Sequence, residues 1–136
     1  VDVVVPVYRG LEETRRCLSS VLATIDPAWA RVVVLNDGSP DPAITTYLRE
    51  LDAAHDDLVL LENERNLGFV ATVNRGMRYD AQRDVLLLNS DVQIDRDLLE
   101  HGTDLIRGSI DEQRNLADEG WQGARNTGCR FRFYEA

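Results

Sequence analysis

Residues 85–95 read VLLLNSDVQID, four apolar residues running straight into Asn89, Ser90 and Asp91. A short, unbroken apolar run bounded by turn residues reads as a strand buried on both faces. This one ends in a carboxylate. The pattern recurs upstream: Val1 to Pro6 is β-branched and broken only by Asp2, Arg31 to Leu35 reads RVVVL, and Leu58 to Leu61 reads LVLL. Helical stripes lie between these runs. Glu12 to Thr24 carries Leu18, Val21 and Leu22, flanked by Leu11 and Ile25, and Gly68 to Tyr79 puts Val70, Val73 and Met77 on one face. Asp41 and Pro42 read as the N-cap and first residue of a helix ending near Asp52. Asp95 is predicted to cap a fourth helix, from Arg96 to Arg107. The order β-α-β-α-β-α-β-α predicts an α/β, Rossmann-like fold, a mostly parallel sheet with helices on both faces. Residues 108–136 fit less well, although CRFRFYEA at the end alternates like a strand with one wet face.

Composition narrows the function. The chain has 136 residues, 43% hydrophobic, enough for one domain with a real core. It begins inside a strand-like run without an initiator Met, so a trimmed parent is expected. Neither a signal peptide nor a membrane-length apolar run is visible. A formal net charge of −9 argues against nucleic acid and against a polybasic membrane patch. All fifteen basic residues are Arg, which excludes any Lys-dependent chemistry, a P-loop included. Cys17 and Cys129 show no metal-ligand spacing and read as buried thiols in a reducing compartment. His55 and His101 are isolated among charged residues and read as surface positions.

In open α/β sheets, ligands bind beyond the carboxyl ends of the strands, where strand order reverses. Pro6, Val7, Tyr8 and Arg9 follow the first strand, and Asn36, Asp37, Gly38 and Ser39 the second. Glu62 to Asn66 follow the third, and Asn89, Ser90 and Asp91 the fourth. Each stretch has a plainer reading: NDGSPDP as a turn, Asp91 as a solvated loop acid, NLGF as the start of a helix. Together they would line one rim. A carboxylate there suits Mg²⁺ or Mn²⁺, which bind through one or two carboxylates plus substrate phosphates. Asp37 could accept from a base N–H or a ribose hydroxyl, and Arg65 and Arg75 could bond phosphate.

These segments resemble family 2 glycosyltransferases of the GT-A fold, in order over roughly residues 1 to 100. VVVPVYRGLEETRRCLSSVL is similar to the family's opening strand, turn and first helix, and VVVLNDGSPD to its (D/N)DGS turn. NERNLGFVATVNRGM is similar to its N-x-G-x₅-N-x-G segment, through Asn66, Gly68, Asn74 and Gly76. LLLNSDVQID sits where the family carries D-x-D. The resemblance implies that Pro6, Val7 and Tyr8 flank the base and ribose of a nucleotide-diphosphate sugar. It implies that Asp37 bonds the nucleoside, and that Arg65, Asn66, Gly68, Asn74, Asn89 and Ser90 belong to the donor site. Asp91, the last acid of D-x-D, would bind a divalent cation, Mg²⁺ or Mn²⁺. The first acid of that motif is Asn89 here, which adds no charge.

TGCRFRFYEA is similar to the family's later G-x-R strand through Gly128 and Arg130, but it follows Asp91 too soon. Most of the acceptor half is therefore expected to be missing between about residues 107 and 128. Asp118 and Glu119 fall near the place of the family's acidic pair and are candidates for the catalytic base. Residues 1–95 would form the donor-binding βαβ region and 96–136 an incomplete remainder of the same catalytic domain. The resemblance implies an inverting, metal-dependent transfer to a carbohydrate or lipid-linked acceptor in polysaccharide biosynthesis. It also implies a cytoplasmic protein, peripheral to the inner membrane face. The alternatives are a non-catalytic nucleotide-sugar-binding domain and a nucleotidyltransferase. The latter would want a Gly-rich basic loop after the first strand, where PVYRGLEE has one Gly and one Arg.

Overall fold

The computed structural model describes residues 1–94 and 133–134. The strands are β1 (Asp2–Val7), β2 (Arg31–Asn36), β3 (Leu58–Glu62), β4 (Val85–Leu88) and β5 (Phe133–Tyr134). The helices are α1 (Leu11–Thr24), α2 (Pro42–Ala54) and α3 (Phe69–Met77). The strands form one sheet in the order β3-β2-β1-β4-β5, and every pairing is parallel. β5, from the alternating tail, adds to the edge of β4 through Leu87↔Phe133 and Leu88↔Tyr134. The expected helix after Asp95, the continuity of 107–130, and Cys129, His101, Asp118 and Glu119 lie outside the described residues.

Alternation along the strands assigns each helix to a face. Val3, Val5, Val7, Val32 and Val34 share a core cluster with Cys17, Leu18 and Val21 of α1 and with Ile44 and Leu48 of α2. Val4, Val33, Leu35, Val85 and Leu87 pack instead with Val73 and Met77 of α3. Both faces are thus covered, and that is why the strands carry no polar alternation. Each buried Val or Leu contributes about 1.5–3 kcal/mol relative to leaving it in water.

Local chemistry sets the helix ends. The Asp41 carboxylate accepts from Ala43 N–H at 2.9 Å, with Pro42 as the first helical residue, as the sequence predicts. In α3, a Cβ on Gly76 would stand 2.7 Å from Leu35 Cδ1 and 2.8 Å from Val4 Cγ1, so only Gly lets this helix lie so close to the sheet. Strand order turns back at β1, whose neighbours β2 and β4 are reached through helices on opposite faces. That arrangement opens a crevice at the carboxyl ends of β1 and β4. No helix among the described residues is long and apolar enough to cross a membrane.

Candidate functional site

A cavity of about 510 Å³ occupies that crevice, a size usual for small-molecule sites. Its walls come from three strand ends and the start of α3. Pro6, Val7, Tyr8, Arg9 and Gly10 continue β1, with Glu13 one turn into α1. Asp37 follows β2; Asn66, Gly68 and Phe69 lead into α3; Asn89, Ser90 and Asp91 follow β4. Asp37 and Asp91 therefore share one rim.

Asp37 is 4% exposed. Its Oδ1 accepts from Asn63 Nδ2 at 2.7 Å and Leu67 N–H at 2.8 Å, and its Oδ2 from Gly68 N–H at 3.0 Å. Burial pushes its pKa up. The Leu67 N–H, the Asn63 amide, the Thr72 hydroxyl and the Gly68 N–H outweigh burial and hold it below the usual carboxylate value. The loop that Asp37 grips is itself braced. Asn63 Nδ2 also donates to Thr72 Oγ1 at 2.9 Å, and Arg75 donates to Asn63 Oδ1 and, at 2.7 Å, to Glu62 O. Gly38 lies against the same loop. Its φ is +59°, and a Cβ there would collide with the backbone of Arg65 and Asn66. The NDGS stretch is a turn, as its composition suggests, and also a docking edge for residues 63–68. Asn36 Oδ1 closes it by accepting from Ser39 N–H at 3.0 Å.

Asp91 is different. It is exposed, and among the described residues no hydrogen bond or ion pair engages its carboxylate. It occupies the third position of a tight turn closed by Val92 N–H on Asn89 O at 3.2 Å. Cys17, fully buried beneath, donates its thiol to Asn89 O at 3.4 Å. Burial, then the nearby Asp91 charge, raises the Cys17 pKa to about 12, against a lowering contact from Val92 N–H.

Among the described residues the cavity carries one cation, Arg9, whose guanidinium lies 5.2 Å from the Tyr8 ring centroid. Three acids, Glu13, Asp37 and Asp91, face it there. An anionic ligand entering this space needs added positive charge. Among the described residues no group of three or more His, Cys, Asp or Glu side chains could cage a metal. One exposed carboxylate beside neutral Asn89 and Ser90 oxygens still fits Mg²⁺ or Mn²⁺, which complete their shells with phosphate and water.

The family model for glycosyl transferase family 2 matches residues 2–108. The chain belongs to that family. It is 28% identical over 110 residues to glycosyltransferase AglE of Haloferax volcanii, covering 80% of this chain but 36% of AglE. Among solved structures, S. aureus TarS 1-349 in complex with UDP-GlcNAc superposes with a TM-score of 0.65 at 23% identity, over 78% of this chain and 30% of that one. Mannosyltransferase PcManGT from Pyrobaculum calidifontis, in complex with GDP-Man and Mn²⁺, gives 0.67 at 23% identity, over 75% of this chain and 30% of that one. The fold is therefore the GT-A glycosyltransferase fold. The chain spans about a third of the length of these relatives.

Of the family 2 positions expected from the sequence, Pro6, Val7, Tyr8, Asp37, Asn66, Gly68, Asn89, Ser90 and Asp91 line the one cavity. Arg65 is exposed and is not part of the lining. Asn74 is buried behind it on α3, its Oδ1 without a partner among the described residues. Arg75, expected at phosphate, instead braces Asn63 and Glu62. Sequence reasoning missed Glu13 and Phe69 as lining residues and Asn63 as a hub. A signal existed for Glu13, which sits just inside a helix that opens at the strand end.

Proposed function

We propose that this chain is the donor-binding part of an inverting, metal-dependent glycosyltransferase. It would move a sugar from a nucleotide-diphosphate donor to a hydroxyl of a carbohydrate or lipid-linked acceptor. One observation carries the reading: the turns after β1, β2 and β4 meet in a single cavity at the reversal of strand order. Relatives of the same fold, TarS and PcManGT, are described in complex with UDP-GlcNAc and with GDP-Man and Mn²⁺.

In this reading residues 1–95 form the donor region and 96–136 belong to the same catalytic domain. Pro6, Val7 and Tyr8 flank the base and ribose. Asp37, which lines the cavity, accepts from the nucleoside beside the loop donors that hold it. Asn66 and Gly68 shape the diphosphate side, and Asn89 and Ser90 offer neutral acceptors. Arg9, rather than Arg65, is the cation that bonds phosphate. Asp91 holds Mg²⁺ or Mn²⁺. Bound there, the ion would supply positive charge to neutralise the diphosphate. Asp118 or Glu119 takes the acceptor proton. The hydroxyl oxygen then bonds the anomeric carbon as its bond to phosphate oxygen breaks on the opposite side. A lipid-linked acceptor would put the protein at the inner face of the membrane, on its cytoplasmic side.

Titration calorimetry with UDP and with GDP, with and without Mn²⁺, tests the donor site. Asp91→Ala should fold, because its side chain lies outside the core. It should lose about a hundredfold in affinity with Mn²⁺, the roughly 2–3 kcal/mol of a lost charged contact. Without metal it should bind like the parent. Equal affinity of parent and variant in Mn²⁺ would make Asp91 an ordinary loop acid.

A further inference from the structure

We propose that Cys17 and Ser20, on the inner face of α1, are positioning residues that fix the Asn89–Val92 turn and so set where Asp91 presents its carboxylate. The proposal rests on the donor-site reading above. The turn is held from below at both ends. At its start, Asn89 O accepts twice, from Val92 N–H at 3.2 Å within the turn and from the Cys17 thiol at 3.4 Å. A carbonyl has two lone pairs, so both are used. Just past its end, Ile94 N–H donates to Ser20 Oγ at 3.1 Å, while Ser20 Oγ donates to Cys17 O at 2.7 Å. Cys17 and Ser20 are three residues apart and share a helix face.

Packing agrees with the hydrogen bonds. Val92 and Ile94 are buried in the cluster that holds Cys17, Leu18 and Val21, while Asp91, just before them, is exposed. The backbone on both sides of Asp91 is thus tied to α1, and only its side chain is left to a ligand. Residues that orient a metal-binding carboxylate in this way commonly govern affinity without touching the ion. Bulk alone does not explain the arrangement, because the thiol and the hydroxyl each reach a backbone atom of the segment.

The test uses the full chain, with UDP or GDP as probe, whichever the parent binds more tightly. Affinities are measured with and without Mn²⁺ for Cys17→Ala, Cys17→Ser, Ser20→Ala and Asp91→Ala. Cys17→Ala and Ser20→Ala should each weaken binding in Mn²⁺ by about tenfold and leave metal-free binding unchanged. Cys17→Ser keeps a donor and should recover most of the loss; a packing role predicts that Ser is no better than Ala. Ser20 is only partly buried, so its variant carries the test if Cys17→Ala fails to fold. Parent-like Mn²⁺ binding in Ser20→Ala and any folded Cys17→Ala, while Asp91→Ala loses it, overturns this proposal alone. Equal losses with and without metal also overturn it. Parent-like Mn²⁺ binding by Asp91→Ala overturns the donor-site reading, and this proposal with it.

Discussion

The two ends of the sheet both carry acids, and they treat them in opposite ways. At the amino end, Asp2 is 1% exposed and answered by cations. Arg31 meets it through two bonds, Nε at 3.1 Å and Nη2 at 2.7 Å, and Arg83 Nε stands 2.7 Å from its Oδ1. Arg31 also lies 3.4 Å from Asp80 and 4.8 Å from the Tyr79 ring centroid. At the carboxyl end, Asp37 is answered by amides, and Asp91 by nothing among the described residues. An acid at a strand end is therefore no site by itself. What separates structure from function is whether the protein supplies the counter-charge.

The comparison breaks first at Asp2. Replacing it with Ala leaves two guanidinium groups without their shared partner at the edge of the core. Removing one partner of a buried pair costs about 3–5 kcal/mol, and the partly exposed arginines put this case near 3 kcal/mol. Urea unfolding should show that loss, while nucleotide binding by the folded protein stays unchanged. A neutral Asp2→Ala would mean that the amino end is no more than a surface ion pair.

Asp37→Ala sharpens the contrast from the other end. It strands Leu67 N–H and one hydrogen of the Asn63 amide, leaves Gly68 N–H to Asn66 Oδ1 alone, and should cost about 2 kcal/mol. The pH dependence follows from the lowered pKa. A carboxylate depressed in the folded state stabilises fully above its unfolded value, near 4, and loses that contribution as pH falls through the folded one. The gap between parent and variant in urea midpoints should be flat from about pH 7 to 5 and shrink below about 4. A gap that persists undiminished into acid would show that the carboxylate's charge is not what holds the loop. Asp91→Ala should leave the urea midpoint at pH 7 near the parent's, because its side chain is exposed.

These contrasts mark what a one-dimensional reading reaches. β4 was legible to the residue, because a run buried on both faces has no polar interruption and ends at a turn. The Asp41–Pro42 start of α2 was legible because capping is local. The rim was legible because strand ends in a parallel sheet point one way. Asp2 was visible only as a blemish in an apolar run, since its partners lie on β2 and after α3. Arg75 looked like a phosphate ligand for the same reason: its true partners, Asn63 and Glu62, are side-chain and carbonyl choices that spacing does not encode. Arg9 stood in plain sight after β1, yet its place in the cavity depends on the left-handed backbone of Gly10 that follows it.

The smallest expected effect belongs to Arg9, and it isolates the carboxyl end from its metal. Among the described residues, this guanidinium is the positive charge that lines the cavity, beside three acids. It stands 5.2 Å from the Tyr8 ring centroid, and among the described residues no carboxylate pairs with it. A charge-assisted bond to phosphate from such a group does not require the divalent cation. Arg9→Ala should therefore weaken UDP or GDP binding by something under tenfold, to a similar degree with and without Mn²⁺. Asp91→Ala loses affinity only with Mn²⁺, so the two variants separate the protein's charge from the ion's. Stability should move by no more than about 0.5 kcal/mol, because Arg9 is exposed. If Arg9→Ala binds nucleoside diphosphate like the parent under both conditions, the carboxyl end relies on the ion alone, and the contrast with the arginine-stapled amino end becomes complete.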